Sequence, residues 1–256
     1  MVGAFLQHLE TERGNTATTR NARLAAIHSF FRHALPRAPE HAALIQRVLA
    51  IPPKRVDRAI VDYLTRTETD ALIAAPDTST WTGRRDNALI LVAVHTGLRV
   101  TELANLRIRD THLAAGAHLR CHGKGRKDRC TPLTSVTAKV LRTWLKERGG
   151  QPDDPLFPTR RGTLLSRDAI ARLVAKHAKA AEAACPSLTS KNVTPHTLRH
   201  SYGTALAEAG VDLAVMQALL GHAHVDTTAR YIHLAPAHVK AEFDAARDRL
   251  RSQSQQ

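Results

Sequence analysis

The pattern of hydrophobic and polar positions predicts a chain that is mainly helical. Between Asn15 and Leu35, hydrophobic residues recur at the spacing of one helix face. A further helix is expected to open at the capping pattern Thr65-Arg-Thr-Glu68. Residues Asp86 to His95 are largely apolar and predict another helix, and Gly97 follows where a left-handed cap is needed. From Ser166 onward the pattern is helical again.

One short segment has the pattern of strands instead. Leu119 and Cys121 are separated by polar residues, and a basic turn follows at Gly123-Lys-Gly-Arg-Lys127. A return strand is expected from Arg129 to Leu133. The sequence therefore predicts a mainly α fold with a small antiparallel β-sheet (α+β).

Two prolines at positions 52 and 53 divide the chain, because proline cannot continue a helix and stiffens an extended linker. We expect a partial helical domain over residues 1–51, a linker over 52–58, a larger domain over 59–250 and a polar tail over 251–256. About 50 residues are too few for a comfortable independent core. The leading piece therefore looks incomplete, or in need of a partner to order it.

Composition narrows the class of partner. The 256 residues contain 37 Lys+Arg and 23 Asp+Glu, a formal net charge of +14, which favours a polyanion such as DNA or RNA. The longest apolar run, Ala88 to Val94, is too short to cross a bilayer, and the first residues lack a secretory signal. Three cysteines without a C-x-x-C pair disfavour a disulfide framework and a cysteine zinc site. We expect a cytoplasmic protein without a membrane partner.

Two clusters of polar residues lie on either side of the predicted sheet's first strand. Arg99 follows Gly97 and has Glu102 three residues on, so the two could form a surface ion pair. Lys124 lies at the tip of the predicted hairpin, where flanking glycines allow a close approach of the backbone to a phosphate. Each cluster has an ordinary explanation when taken alone.

A third cluster surrounds Pro195, where a helix is expected to begin. His196 and Arg199 are three residues apart and lie near the helix N-terminus, whose partial positive charge favours an anion. His196 and His200 are also spaced like zinc ligands. However, Thr197 stands where the H-E-x-x-H motif has its glutamate, and this disfavours a metal.

A fourth cluster follows the glycine that is expected to end a later helix, Gly221. His222 comes directly after it, and Tyr231 falls in the first turns of the next predicted helix, which Asp226 can cap. A lone tyrosine is usually a core or interface residue. Tyr231 is therefore unremarkable without the other three clusters.

Taken together, six positions closely resemble the active-site series of the tyrosine recombinase (phage integrase) family: Arg99, Lys124, His196, Arg199, His222 and Tyr231. The resemblance extends from about Leu64 to Leu234. It is most specific in His196-Thr-Leu-Arg-His-Ser-Tyr202 followed by Leu220-Gly-His222. It implies a site-specific DNA recombinase or integrase that cleaves and rejoins DNA through a 3′-phosphotyrosyl intermediate.

The chemistry of a phosphodiester gives these residues roles. Arg99 and Arg199 would brace the non-bridging oxygens with donors that stay charged at any working pH. Tyr231 would be the nucleophile, and it needs a base or a strong positive field because its free pKa is about 10. His196 would take that proton or hydrogen-bond a phosphoryl oxygen, and His222 would donate a further hydrogen bond.

The resemblance also implies that Lys124 is the general acid that protonates the leaving 5′-oxygen. Glu102 would orient Arg99 or His196, or alternatively stabilise the start of a helix by its charge. The phosphotyrosyl linkage conserves the energy of the phosphodiester, so no ATP, metal or other cofactor is implied.

The expected partner is double-stranded DNA, on which the chain would assemble as a homo-oligomer, a tetramer. We expect five basic residues to contact DNA: Arg20, Lys54, Arg55, Arg126 and Lys127. An amphipathic helix is expected over residues 237–250, and it would dock into a neighbouring protomer or pack on its own domain.

One departure leaves other functions open. Family members usually carry a full helical core-binding domain that forms half of a clamp around DNA, whereas we expect a shortened one here. The alternatives are a non-catalytic or truncated DNA-binding remnant of a mobile element, and DNA relaxation of the type IB topoisomerase kind.

Overall fold

The computed structural model describes residues 1–56, 63–122 and 128–221. The chain divides into two compact units, Met1–Ile60 and Val61–Gln256. The domain and linker bounds expected from the prolines stay a prediction, and the polar tail over 251–256 lies outside the described residues.

The first unit is helical. Its helices are α1 (Val2–Thr11), α2 (Ala17–Ala34) and α3 (Ala42–Leu49), with 3₁₀ turns at Leu35–Arg37 and Pro39–His41. Helix α2 begins two residues after the predicted Asn15 because the side chain of Thr16 caps it, accepting the N–H of Thr19 at 3.3 Å. The core of this unit is small and consists of Leu6, Leu9 and Leu24 with two partly buried neighbours.

A side chain of α2 holds the chain that follows α3. The amide of Asn21 donates to the carbonyl of Lys54 at 2.8 Å and accepts from the N–H of Lys54 at 2.9 Å. These two hydrogen bonds satisfy the backbone N–H and carbonyl of Lys54, which lie outside any helix or strand.

The second unit contains seven described helices and a small sheet. The helices are α4 (Arg66–Ala74), α5 (Trp81–Thr96), α6 (Val100–Asn105), α7 (Ser135–Arg148), α8 (Arg167–Ala181), α9 (Pro195–Glu208) and α10 (Leu213–Leu220), with 3₁₀ turns at Ile108–Asp110 and Pro186–Ser190. The strands are β1 (Thr111–His112), β2 (His118–His122) and β3 (Asp128–Pro132), all antiparallel in the order β1-β2-β3. The predicted fold class is confirmed.

Helix α5 is the centre of this unit. It packs against α4, α7 and α9, and every residue from Ala88 to Val94 is buried. A helix that is apolar on all sides must be covered on all sides, which explains this position. The helix starts five residues before the predicted Asp86 because Thr80 caps it, and it ends at Gly97 with φ +57° as predicted.

The predicted capping box at the start of α4 is confirmed. The hydroxyl of Thr65 accepts the N–H of Glu68, and the carboxylate of Glu68 accepts the N–H of Thr65 at 2.8 Å. Glu68 also accepts from Ser187 and Lys191, so a helix cap joins α4 to the chain that precedes α9. None of the described helices has the length and hydropathy that spanning a membrane requires.

Candidate active site

Helix α9 places two of the predicted residues at its start. Thr194 caps the helix by accepting the N–H of Thr197 at 3.2 Å, and Pro195 occupies the first position, where its missing N–H is not needed. His196 is therefore exposed in the first turn, while Arg199, one turn further, is 6% exposed.

The guanidinium of Arg199 joins the ends of two other helices. It donates to the carbonyl of Gly97, which ends α5, and to the carbonyl of Leu220, the last residue of α10, each at 2.6 Å. Carbonyls at helix C-termini lack intrahelical donors and carry partial negative charge, so a cation is favoured there. These charge-assisted hydrogen bonds offset the free-energy cost of removing the guanidinium from water.

Arg99 reaches the same helix end from the other side. It directly precedes α6, and its guanidinium donates to the carbonyl of Gly221 at 2.7 Å. Because Gly221 follows Leu220, the two arginines donate to consecutive carbonyls. The side chain of Arg99 is 41% exposed, so one guanidinium is buried beneath the site and the other is accessible from solvent.

Glu102 holds Arg99 by both its backbone and its side chain. Its carboxylate accepts the backbone N–H of Arg99 at 2.8 Å and the guanidinium at 3.1 Å. The first contact caps α6, and the second orients the arginine. Glu102 thus contacts both the backbone and the guanidinium of Arg99, and its part in the site stays a prediction.

A residue that the sequence did not single out completes the group. Arg129, on β3, donates both guanidinium arms to Glu102, at 2.6 and 2.9 Å. Strand pairing places it opposite Cys121, as Thr131 is opposite Leu119, so it shares the inward face with two apolar residues. A buried arginine rarely goes unpaired. The alternation of inward and outward positions along the predicted strand was therefore a signal that Arg129 has an acidic partner.

The charges of this group are fixed by their contacts. Burial raises the pKa of Glu102, but hydrogen bonds from Arg129 and from the Arg99 backbone lower it further, so the pKa lies below its ordinary value. Burial lowers the pKa of Arg129, and its hydrogen bonds to Glu102 raise it above the ordinary value. Two guanidiniums, those of Arg99 and Arg129, therefore face one carboxylate, and the guanidinium of Arg199 lies at the same helix end. The surplus positive charge suits an anion such as a phosphate.

Gly221 has a left-handed backbone conformation and lies close to the side chain of Arg129. It ends α10 as predicted, and its φ is +64°. A Cβ there would lie 2.6 Å from a terminal nitrogen of Arg129. The backbone conformation thus favours glycine, and any side chain there would displace the guanidinium of Arg129. The residue that follows it is His222.

The remaining predicted residues lie outside the described part of the chain: Lys124, Arg126, Lys127, His222, Tyr231 and the helix expected over 237–250. The structure thus brings Arg99, Arg199 and Glu102 to one helix end, and places His196 at the exposed start of α9.

Three predicted DNA contacts lie in the first unit. Lys54 and Arg55 are exposed, and Lys54 pairs with Glu10 at 2.8 Å. Arg20 is buried, with its guanidinium donating to the carbonyl of Pro52 at 3.2 Å. That contact fixes α2 to the chain after α3, and it does not favour the predicted contact between Arg20 and DNA.

The histidine pair does not form a metal site by itself. His196 is exposed, whereas His200 is 3% exposed. Within the described ranges, no three His, Cys, Asp or Glu side chains gather as a metal ion would require.

The chain is similar to known proteins in both sequence and fold. The profile of the phage integrase family matches residues 62–238. The chain is 52% identical over 232 residues to the putative integrase/recombinase y4rC of Sinorhizobium fredii, covering 91% of this chain and 70% of that protein. It is 36% identical over 249 residues to tyrosine recombinase XerC of Pelobacter propionicus, covering 97% and 78%. The crystal structure of XerA recombinase aligns with a TM-score of 0.63 and 28% identity, covering 96% of this chain and 82% of XerA.

Proposed function

This chain belongs to the phage integrase family, the tyrosine recombinases, and on that premise we propose the part that each residue of its site plays. The protein is a site-specific DNA recombinase or integrase, an enzyme that transfers DNA strands. DNA relaxation of the type IB kind and a non-catalytic remnant are not favoured by these relationships.

The observation that carries the proposal is the convergence of Arg99 and Arg199 on consecutive carbonyls at the end of α10. The scissile phosphate binds over this end, with its non-bridging oxygens braced by the two guanidiniums. Charge on these oxygens grows as phosphorus becomes five-coordinate, so fixed donors stabilise the transition state more than the bound substrate. His222, next in the chain after Gly221, donates a further hydrogen bond to the same oxygens.

Tyr231 is the nucleophile of the cleavage step. Its hydroxyl oxygen bonds to phosphorus and gives its proton to His196, while the bond from phosphorus to the 5′-oxygen breaks. Lys124 protonates that oxygen, which leaves as a 5′-hydroxyl. The products are a 3′-phosphotyrosyl linkage and a free 5′-end, and attack by the 5′-hydroxyl of a second strand reverses the step.

Binding to DNA extends beyond this site in the proposal. Lys54, Arg55, Arg126 and Lys127 contact phosphates and provide affinity that depends on salt. Four protomers assemble on paired DNA sites, so that each supplies one cleaved strand. The protein acts in the cytoplasm, where its DNA substrate is present.

A nicked duplex tests this proposal. The duplex carries the inverted repeats that border the gene, or a site selected from a randomised pool by covalent capture, and the nick lets the freed 5′-fragment diffuse away. We expect an adduct that survives denaturation with detergent, and joined products when two intact duplexes are supplied. Tight binding without any adduct would contradict the enzymatic role, and relaxation of supercoils without joined products would contradict recombination.

A further inference from the structure

We propose that Arg129 is a positioning residue for strand transfer: it holds Glu102 against Arg99, and thereby fixes the guanidinium of Arg99 at the phosphate. This inference rests on the proposed function of Arg99. It adds to the site a side chain that would not itself touch DNA.

The first support is the way in which the Glu102 carboxylate is shared. One oxygen accepts from Nη1 of Arg99 and Nη1 of Arg129, and the other accepts from the backbone N–H of Arg99 and Nη2 of Arg129. The carboxylate is 5% exposed, so water cannot replace a lost partner. Without Arg129, half of its donors disappear, and the carboxylate is free to rotate away from Arg99.

The second support is the contact between Arg129 and Gly221. A Cβ at Gly221 would lie 2.6 to 3.1 Å from three atoms of the Arg129 guanidinium, so the guanidinium rests directly on this glycine. The carbonyl of Gly221 is the other partner of the Arg99 guanidinium. Arg129 therefore packs against both groups that anchor Arg99.

A second route would run along the chain, because β3 leads from Arg129 back to the β2–β3 hairpin, whose connecting residues include Lys124. The base of that hairpin has a support of its own on the outer face, where Arg120 and Asp128 form an ion pair at 3.6 Å. The strand pairing from His118 to His122 supports it as well. The contacts of the Arg129 guanidinium thus favour the route through Arg99.

Single-turnover adduct formation on three nicked duplexes distinguishes the two routes. One duplex has the ordinary phosphate, one has a methylphosphonate that removes the charge of a non-bridging oxygen, and one has a 5′-bridging sulfur that leaves without a proton. We expect Arg129→Gln to slow adduct formation about 30-fold on the ordinary phosphate and on the sulfur duplex. On the methylphosphonate the loss should shrink to about threefold, because less charge needs bracing there.

Two further variants complete the test. Arg129→Gln combined with Glu102→Gln should be no slower than Glu102→Gln alone, because both changes act through one carboxylate. Arg84→Gln is the matched control, since it removes another two-armed pair, between Arg84 and Glu147, and should leave the rate unchanged. Should Arg129→Gln fail to fold, Arg129→Lys keeps the charge without the second arm and is measured on the same three duplexes.

Three results would overturn the inference. Recovery on the sulfur duplex alone would assign Arg129 to Lys124, equal losses on all three would indicate a merely structural role, and a rate equal to that of the parent would remove any role. Absence of adduct with the parent protein would instead contradict the proposed function itself.

Discussion

Arg99 and Arg199 donate hydrogen bonds to the carbonyls of neighbouring residues, Gly221 at 2.7 Å and Leu220 at 2.6 Å. Residues a hundred positions apart in the chain are thus fixed by one helix end. This end of α10 thus positions two of the six predicted residues relative to one another, and His222 is the next residue in the chain.

Replacing Arg199 by lysine should break the link between the end of α5 and the end of α10. A lysine presents one ammonium and cannot match the planar fork that reaches both Gly97 and Leu220. We expect adduct formation to fall by about 100- to 1,000-fold and the free energy of unfolding to drop by about 1–3 kcal/mol. Rapid-quench kinetics and urea titration measure the two effects.

Arg142→Lys is the matched control for that change, because its exposed guanidinium also donates to a backbone carbonyl, that of Leu113 at 2.6 Å. We expect the free energy of unfolding of Arg142→Lys to stay within about 0.5 kcal/mol of that of the parent. Arg199→Lys behaving like Arg142→Lys would show that the buried fork has no special part.

Gly221→Ala should damage the site more than its backbone strain accounts for. An alanine there has to adopt φ +64° and brings a Cβ to 2.6 Å from Arg129. Gly116→Ala is the control, with φ +72° and no atom within 4 Å of the added Cβ. Strain alone costs about 1–2 kcal/mol at either position. We expect only Gly221→Ala to slow adduct formation, by about tenfold, and equal rates for the two variants would contradict the packing argument.

The carboxyl of Glu68 should make the free energy of unfolding depend on pH in the acidic range. Burial raises its pKa, but hydrogen bonds from Lys191, Ser187 and Thr65 lower it more, from 4.5 to about 2. A group whose pKa is depressed by folding stabilises the fold above its unfolded pKa, and this stabilisation is lost as the pH falls from about 4.5 toward 2.

Glu68→Gln should therefore lower the free energy of unfolding by about 2 kcal/mol at pH 7, with a difference that shrinks on acidification through that window. Denaturant titrations at several pH values measure it. Glu182→Gln, which removes a pair of Glu182 with the largely exposed Lys179, should change stability by less than about 0.5 kcal/mol throughout. A difference for Glu68→Gln that stays constant down to pH 2 would contradict the assignment.

Local rules predicted the parts of the fold that local contacts decide. The capping box of Thr65 and Glu68, the left-handed cap at Gly97 and the helix end at Gly221 involve partners within four residues, so the local sequence predicts them. Helices α1, α3 and α7 were not predicted. No side-chain hydrogen bond caps α1 or α3, and α3 is only eight residues long, whereas α7 was missed although Thr134 caps it.

Long-range contacts explain what the sequence did not predict. Arg129 binds Glu102, which lies 27 positions earlier in the chain. The local sequence around either residue does not predict this pair. The family resemblance pointed to Arg99 and Arg199, but their shared support on Gly221 and Leu220 depends on how α5, α9 and α10 pack. A pattern of residue types indicates chemistry, whereas tertiary packing decides which side chain holds another in place.

The central claim is that this cationic site directs one phenol, that of Tyr231, at a phosphate. Burial raises the pKa of Tyr202, whose ring packs next to Gly97, so its phenol loses a proton less readily than a free one. The most direct measurement is mass spectrometry of the peptide that carries the nucleotide after the denatured adduct is digested, with Tyr231→Phe and Tyr202→Phe alongside the parent. We expect the nucleotide on Tyr231 in the parent and in Tyr202→Phe, and no adduct with Tyr231→Phe. Attachment to another residue, or an undiminished adduct with Tyr231→Phe, would contradict the account.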